Sequence, residues 1–305
     1  MKTQAPFEPF YLAGPTGSGK TAVALELASR LKSVAIINAD AFQIYRGIEI
    51  LSAAPGPAEL ALAPHLLFGA LAASEDCDAA NFSRLAEKAI SETSENALPL
   101  LVGGSGLYLK AITHGLAPTP PGDPDLREKL MAFSLDDIVS WYQKLDPEGA
   151  ATTNLKNRRY VTRNLEICIL AGEPASELKS RWERNAPEIK AVYLHRNRED
   201  LYNRINKRTS MMFEEGVVEE IRSIGECSDT AEKAIGLREI RQFIAGEIDE
   251  ATCIEQIRQN TRRYAKRQES WFKREDQFVR IPLAPDDSPT VIVDRILEIH
   301  DLPVS

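Results

Sequence analysis

Two spacings of apolar residues run along this chain. Residues 10–13, 33–38 and 98–102 are brief and almost wholly apolar, as strands buried on both faces of a parallel sheet are. Elsewhere the spacing is helical. Residues 22–31 set Val23, Leu27 and Leu31 on one face, and helices are also predicted over 81–95 and 107–113, with a short one at 58–62 inside a proline-bounded loop. After residue 117 the pattern changes. Pro118-Thr119-Pro120-Pro121-Gly122-Asp123-Pro124 breaks any regular element. Helical patterns over 125–131, 135–145 and 159–170 follow, with no strand pattern among them. Strands return at 191–195 and 278–283, with helices over 200–214 and 290–300. The expected fold is α/β: a parallel sheet flanked by helices, built from 1–117 and 191–305, with an all-helical insertion at 118–190.

Composition narrows the classes. A chain of 305 residues with 27% charged and 43% hydrophobic positions is ordinary for a globular protein with a sizeable core. Its net charge of −8 means that a nucleic-acid partner would need locally clustered cations. Cys77, Cys168, Cys227 and Cys253 are far apart and form no C-x-x-C, which argues against a zinc site or a disulfide framework and fits a reducing cytosol. The opening MKTQAPFEPF lacks the apolar core of a signal peptide, and no apolar run is long enough to span a bilayer. A cytoplasmic protein without membrane attachment is therefore expected.

Gly14-Pro15-Thr16-Gly17-Ser18-Gly19-Lys20-Thr21 fits G-x-x-x-x-G-K-[ST] between a predicted strand and a predicted helix, the context a phosphate loop needs. Glycines let backbone N–H groups turn around an anion at a helix end that already carries partial positive charge. Lys20 adds a full charge, and the Thr21 hydroxyl suits Mg²⁺ held by the same phosphates. The motif specifies phosphate or diphosphate and leaves ATP open.

Asp40 follows the second strand, on the sheet edge where ligands of open α/β sheets bind. There it fits a catalytic base, a Mg²⁺ partner or a helix cap. Gly103-Gly104-Ser105-Gly106 is a second glycine turn on the same edge. Arg158, Arg159 and Arg163, with Tyr160, charge the last long helix of the insertion, and Arg204, Lys207 and Arg208 lie on the helix after the fourth strand. Between 257 and 274, cations interleave with Tyr264, Trp271 and Phe272. That pattern suits a nucleic-acid backbone and its exposed bases, and equally an amphipathic helix with its aromatics in the core.

Together these motifs resemble the bacterial tRNA dimethylallyltransferases (tRNA isopentenyltransferases), in order and over nearly the whole chain. Beyond the phosphate loop, 38–47 (NADAFQIYRG) resembles the family's second motif, Pro64-His65-Leu66 its Pro-His segment and Ala79-Ala80-Asn81-Phe82 its Ala-x-x-Phe. Gly103-Gly104-Ser105-Gly106-Leu107-Tyr108 is similar to Gly-Gly-Thr-x-x-Tyr, Arg163-Asn164-Leu165-Glu166 to Arg-Ala-Leu-Glu, and 234–239 (AIGLRE) to Ile-Gly-Tyr followed by Lys or Arg and Glu. The most distinctive match is 261–268 (TRRYAKRQ) with Trp271-Phe272. Departures are Ala41 for a common Ser, Ser105 for Thr, a lost lysine in Ser52-Ala53-Ala54-Pro55, and Arg159 and Tyr160 where many members carry Gln or another residue, then Arg.

The resemblance implies a P-loop NTPase-like core and transfer of a dimethylallyl group from dimethylallyl diphosphate to N6 of the adenosine 3′ to the tRNA anticodon. Residues 14–21 would hold the diphosphate, with Lys20, Thr21 and Asp40 catalytic, Asp40 as base, and Thr21 on Mg²⁺. Asp40, Ala41, Phe42, Gln43, Ser105, Arg127, Arg159, Tyr160, Arg163, Arg262, Arg263 and Lys266 would meet tRNA, with the insertion clamping the anticodon stem-loop. A monomer is expected. A small-molecule kinase would share the loop, the sheet and Asp40, but would not need the interleaved basic segment. A non-catalytic nucleotide-dependent RNA-binding module would not need Asp40 beside the loop.

Overall fold

The computed structural model describes residues 7–184 and 187–304. Most of the opening read above for a signal segment, and residues 185–186 near the end of the expected insertion, fall outside it. The strands are β1 (Phe10–Ala13), β2 (Val34–Asn38), β3 (Tyr45–Arg46), β4 (His65–Leu66), β5 (Leu71–Ala72), β6 (Leu98–Gly103), β7 (Lys190–Arg196) and β8 (Phe278–Leu283). Six form one parallel sheet in the order β4-β2-β6-β1-β7-β8, and β3 pairs with β5 separately.

Register explains why the central strands are almost wholly apolar. Phe10 pairs with Leu100 and Tyr11 with Leu101 across β1 and β6. Successive side chains of a strand point to opposite faces. Phe10 and Leu12 therefore pack on one face with Val23 and Leu27 of the helix Lys20–Arg30 and Ile292 and Ile296 of the helix Pro289–Ile299. Tyr11 and Ala13 pack on the other, with Phe82 of the helix Ala79–Ser94 and Ile257 and Phe272 of the helix Glu250–Phe272. With a core on each side, an unpaired polar group at these positions is costly.

The five expected strands are present, and the long helices start at caps near their predicted ends. Asp78, Ser134, Asn157, Asn197, Asp249 and Ser288 each accept a hydrogen bond from a first-turn amide. The pattern missed the two-residue strands β3, β4 and β5, and the helices Glu49–Ser52, Pro147–Thr152, Ala175–Arg184, Val217–Ser223 and Leu237–Ile244. The two-residue strands and the four-residue helix Glu49–Ser52 complete too few periods to stand out.

The chain divides into two compact units, one formed by 1–112 and 188–305 and a second formed by 113–187. The second holds only helices among its described residues. Its core includes Leu130, Ile138, Tyr142, Val161 and Leu165. Glu166 is wholly buried there, 2.9 Å from Arg127 Nε and 2.6 Å from Arg163 Nη1, and accepts from the Asp123 amide at 2.7 Å. Burial pushes its carboxyl up, but those hydrogen bonds and the charges outweigh burial and hold it below its ordinary value. Both arginines are partly exposed, which weakens the pairing through solvent screening. Glu166→Gln should therefore destabilise this unit by about 1–3 kcal/mol, the scale of hydrogen bonds to charged groups. Thermal unfolding of the variant against the parent checks this. The carboxylate contributes stability at neutral pH that is lost as pH falls through its depressed value.

Candidate functional site

Neighbouring strands β2, β6, β1 and β7 deliver their carboxyl ends to one edge. After β1 comes the phosphate loop, whose Gly19 (φ 97°) caps the helix Lys20–Arg30 from the left-handed region that glycine favours. The first-turn amides of Lys20 and Thr21 have no intrahelical acceptor and remain for an anion. A cavity of about 390 Å³ opens over them. Thr16, Gly17, Gly19, Lys20 and Thr21 form one wall, and Asp40 and Gln43 another. Arg204, Lys207, Arg208 and Met211, from the helix Arg198–Glu214, close it. Four cations against one carboxylate give the cavity a net positive lining, which favours an anion.

The cations differ in their engagement. Lys20 Nζ donates to the Gly14 and Pro15 carbonyls at 2.9 and 3.0 Å. Burial pulls its ammonium down to about 8; Asp40 works against that shift and Arg208 adds to it. Arg204 Nε donates to the Gly17 carbonyl at 2.8 Å, and Arg196 Nε to that of Ser18 at 2.9 Å. These two brace the loop from outside. Burial also lowers Arg208, with Asp40 opposing it, and its buried Nε has no hydrogen-bond partner among the described residues. A buried donor of that kind beside a phosphate loop is poised for a ligand.

Asp40 is held by a built turn. Its amide donates to buried Asn38 Oδ1 at 2.7 Å, while Asn38 Nδ2 donates to the Asp40 and Leu67 carbonyls at 3.1 and 3.0 Å. Asp40 Oδ1 accepts from the Phe42 amide at 3.0 Å. A second, smaller cavity of about 40 Å³ adjoins it, lined by apolar Phe42, Leu51, Met212, Ile235 and Ile257, with Tyr264. Thr16, Asp40, Ser52 and Arg208 line both cavities. Burial, then the charge of Asp40, pushes the Tyr264 hydroxyl far above its ordinary value, so it stays protonated.

The other residues singled out in the sequence divide into groups. Gly14, Pro15 and Ser18 are the buried residues of the loop. Gln43 Nε2 donates to the Ser52 and Ala53 carbonyls at 3.2 and 2.8 Å and so shapes the cavity wall. Ser105 is buried, and its Oγ accepts from the Ala41 amide at 3.1 Å. Arg262 is engaged by Asn206 and Glu255 at 2.8 and 2.7 Å, whereas Arg263 and Lys266 are exposed. In the helical unit Arg159 and Tyr160 are exposed, while Arg127 and Arg163 hold Glu166. Arg204, Lys207 and Arg208 had no role assigned from sequence. Arg204 and Arg208, one helical turn apart, could have marked a cationic face.

Among the described residues no three His, Cys, Asp or Glu side chains cluster as a metal site. Thr21 and Asp40 nevertheless line one cavity. Two oxygen donors suit a Mg²⁺ ion that completes its shell with diphosphate oxygens and water. Among the described residues no helix is long and apolar enough to cross a membrane.

Parallel sheet and glycine loop define an α/β protein of the P-loop class with a cationic cavity at its strand ends. Residues 43–275 match the IPP transferase family. The chain is 42% identical over 289 residues to a tRNA dimethylallyltransferase of Akkermansia muciniphila, covering 94% of this chain and 98% of the relative. It is 36% identical to one from Syntrophobacter fumaroxidans over 88% of this chain and 81% of that one. Among solved structures, the tRNA isopentenylpyrophosphate transferase of Bacillus halodurans matches with TM-score 0.70 and 32% identity, covering 96% of this chain and 95% of that chain. A eukaryotic dimethylallyltransferase crystallised while acting on tRNA shares the fold, with TM-score 0.80 at 23% identity over 98% of this chain and 81% of that one. The chain belongs to the IPP transferase family.

Proposed function

We propose that this protein transfers a dimethylallyl group from dimethylallyl diphosphate to N6 of the adenosine 3′-adjacent to the anticodon of tRNA, releasing diphosphate in the cytoplasm. One observation carries the chemistry: Asp40 borders both a cationic cavity and a smaller one that Phe42, Leu51, Met212, Ile235 and Ile257 line on one part. An allylic diphosphate has those two halves.

Breaking the allylic C–O bond sends its electron pair to diphosphate. Lys20, Arg208 and the loop amides meet that charge. Thr21 and the diphosphate oxygens would hold Mg²⁺, which when bound offsets further negative charge. The apolar side chains beside Asp40 would limit the approach of water to the carbon left electron-poor. The adenine amino group is a poor nucleophile, because its lone pair is delocalised into the ring. Asp40 takes the N6 proton as the C–N bond forms, while Asn38 and the Phe42 amide hold the carboxylate in place. The base must leave the anticodon-loop stack to reach this site.

Exposed Arg263, Lys266 and Arg267 on the helix Glu250–Phe272, and Arg159 and Tyr160 in the helical unit, are the surfaces we assign to the anticodon stem-loop. Neutralising Arg263, Lys266 and Arg267 together should weaken tRNA binding and flatten its salt dependence by about one unit of slope per lost phosphate contact. Filter binding across a salt series measures both. Arg262→Ala should instead lower stability, since its partners are within the protein. The activity itself is tested by incubating tRNA with the protein, dimethylallyl diphosphate and Mg²⁺, then analysing the digested nucleosides by mass spectrometry. Prenylated adenosine is expected. Phosphate transfer from ATP with no use of dimethylallyl diphosphate would make the protein a kinase.

A further inference from the structure

Gln268 belongs to the basic, aromatic helix Glu250–Phe272, yet it points away from solvent and is buried to 5% exposure. Its side-chain amide uses both ends. Oε1 accepts from the Thr16 amide of the phosphate loop at 2.9 Å, and Nε2 donates to the Gly104 carbonyl after β6 at 2.9 Å. Space around this bridge is closed. A Cβ on Gly104 would lie 2.3 Å from Gln268 Nε2 and 2.7 Å from the Gly14 carbonyl, and one on Gly103 only 2.0 Å from the Ala39 carbonyl. The Gly103-Gly104 turn thus lies against both the Asp40 segment and the phosphate loop, with Gln268 as its polar link to the loop.

The bridge changes what the loop can offer an anion. Pro15 has no amide hydrogen, the Ser18 amide is turned back to the Pro15 carbonyl at 3.1 Å, and the Thr16 amide is taken by Gln268. The anion-facing donors lie farther along, at the glycine-capped helix start. Their aim depends on where the loop's first half is pinned. Side-chain hydrogen bonds from Gln268, Arg196 and Arg204 pin it from outside. Arg196, at the end of β7, and Arg204, on the helix that follows, hold the Ser18 and Gly17 carbonyls, whereas Gln268 holds an amide from the neighbouring helix Glu250–Phe272.

We propose that Gln268 is a positioning residue for the diphosphate: its amide bridge between Thr16 and Gly104 sets the anion-ready shape of the phosphate loop. This rests on the loop's taking a diphosphate, as proposed above. A residue whose only role is packing would be replaceable by an isosteric apolar side chain without loss at the anion site. Gln268 is not replaceable in that way, because Met would leave the Thr16 N–H and the Gly104 carbonyl unpaired.

The test titrates inorganic pyrophosphate with Mg²⁺ into the full-length protein by calorimetry, without tRNA, for the parent, Gln268→Met and Gln268→Glu. Gln268→Met is expected to weaken pyrophosphate binding about tenfold, the equivalent of one hydrogen bond to a buried partner. KM for dimethylallyl diphosphate should rise in parallel, with KM for tRNA nearly unchanged. Gln268→Glu reproduces both hydrogen bonds only when its carboxyl is protonated. Its binding defect relative to the parent at the same pH should therefore narrow as pH falls from about 8 to about 5.5, across the range where a buried carboxyl titrates. Undiminished pyrophosphate binding by a folded Gln268→Met would overturn the proposal. So would equal losses in pyrophosphate and tRNA binding, or a Gln268→Glu defect that does not change with pH, which also decides the matter should Gln268→Met fail to fold. A parent protein that binds no pyrophosphate would bring down the diphosphate assignment itself, and the role of Gln268 with it.

Discussion

Asp40→Asn is expected to lower kcat by about a hundredfold to ten-thousandfold, the range for loss of a general base. The substitution is nearly isosteric. Asn can still accept from the Phe42 amide through its side-chain oxygen, and the backbone bonds to Asn38 are untouched. The fold and tRNA affinity should therefore be retained, the latter because phosphate contacts dominate it. Asp40 also faces Lys20 and Arg208, whose proton affinities its charge raises. Removing that charge makes the cavity more cationic, so diphosphate should bind no more weakly than in the parent, and the defect should sit in kcat. The check is kcat and both KM values across a Mg²⁺ titration. A defect that persists at saturating metal supports the base. One cured by metal would move Asp40 to the metal shell, and near-normal kinetics would remove it from the mechanism.

Lys20→Ala should lower kcat/KM for dimethylallyl diphosphate by about a hundredfold to a thousandfold, the scale for losing one donor aimed at charge that develops in the transition state. In the structure the ammonium rests on two loop carbonyls, from which a diphosphate can draw it. Its depressed value gives this role a pH signature. The form that attracts diphosphate is the ammonium, which predominates below about 8. As pH rises through about 8 the free enzyme loses that charge, so kcat/KM for the diphosphate should fall there. Lys20→Ala should lack the step while retaining whatever pH dependence the substrate itself contributes. A parent profile flat from pH 7 to about 9.5 would show that Lys20 holds its proton through that range in the free enzyme.

Much of this protein was legible because its decisive patterns are local. The phosphate loop occupies eight consecutive residues, and each strand of the main sheet except two-residue β4 is an apolar run long enough to see. Asp40 was legible for the same reason, since it follows its strand directly and strand ends carry the ligands of such sheets. The cations that close the cavity were not. Arg204 reaches the loop carbonyl of a residue 187 positions earlier, and Gln268 an amide 252 positions earlier. Helical periodicity says that Arg204 and Arg208 share a face and says nothing of what that face meets.

The helix Glu250–Phe272 marks the division between the two sources. Its sequence settles that cations and aromatics interleave at helical spacing, which fits a nucleic-acid surface and a core helix equally. Tertiary packing chose the rotation. Thr261, Ala265, Gln268 and Phe272 turn inward, which leaves Arg263, Lys266 and Arg267 in solvent and draws Arg262 onto Asn206 and Glu255. Neighbours in sequence thus received different roles, because about 100° separates successive residues around a helix and only the packed sheet defines which direction is inside. Sequence alone determined the phosphate loop, the parallel sheet and the carboxylate beside them. The cavity's cationic wall, and the glutamine that braces its loop, were decided by contacts between segments far apart in the chain.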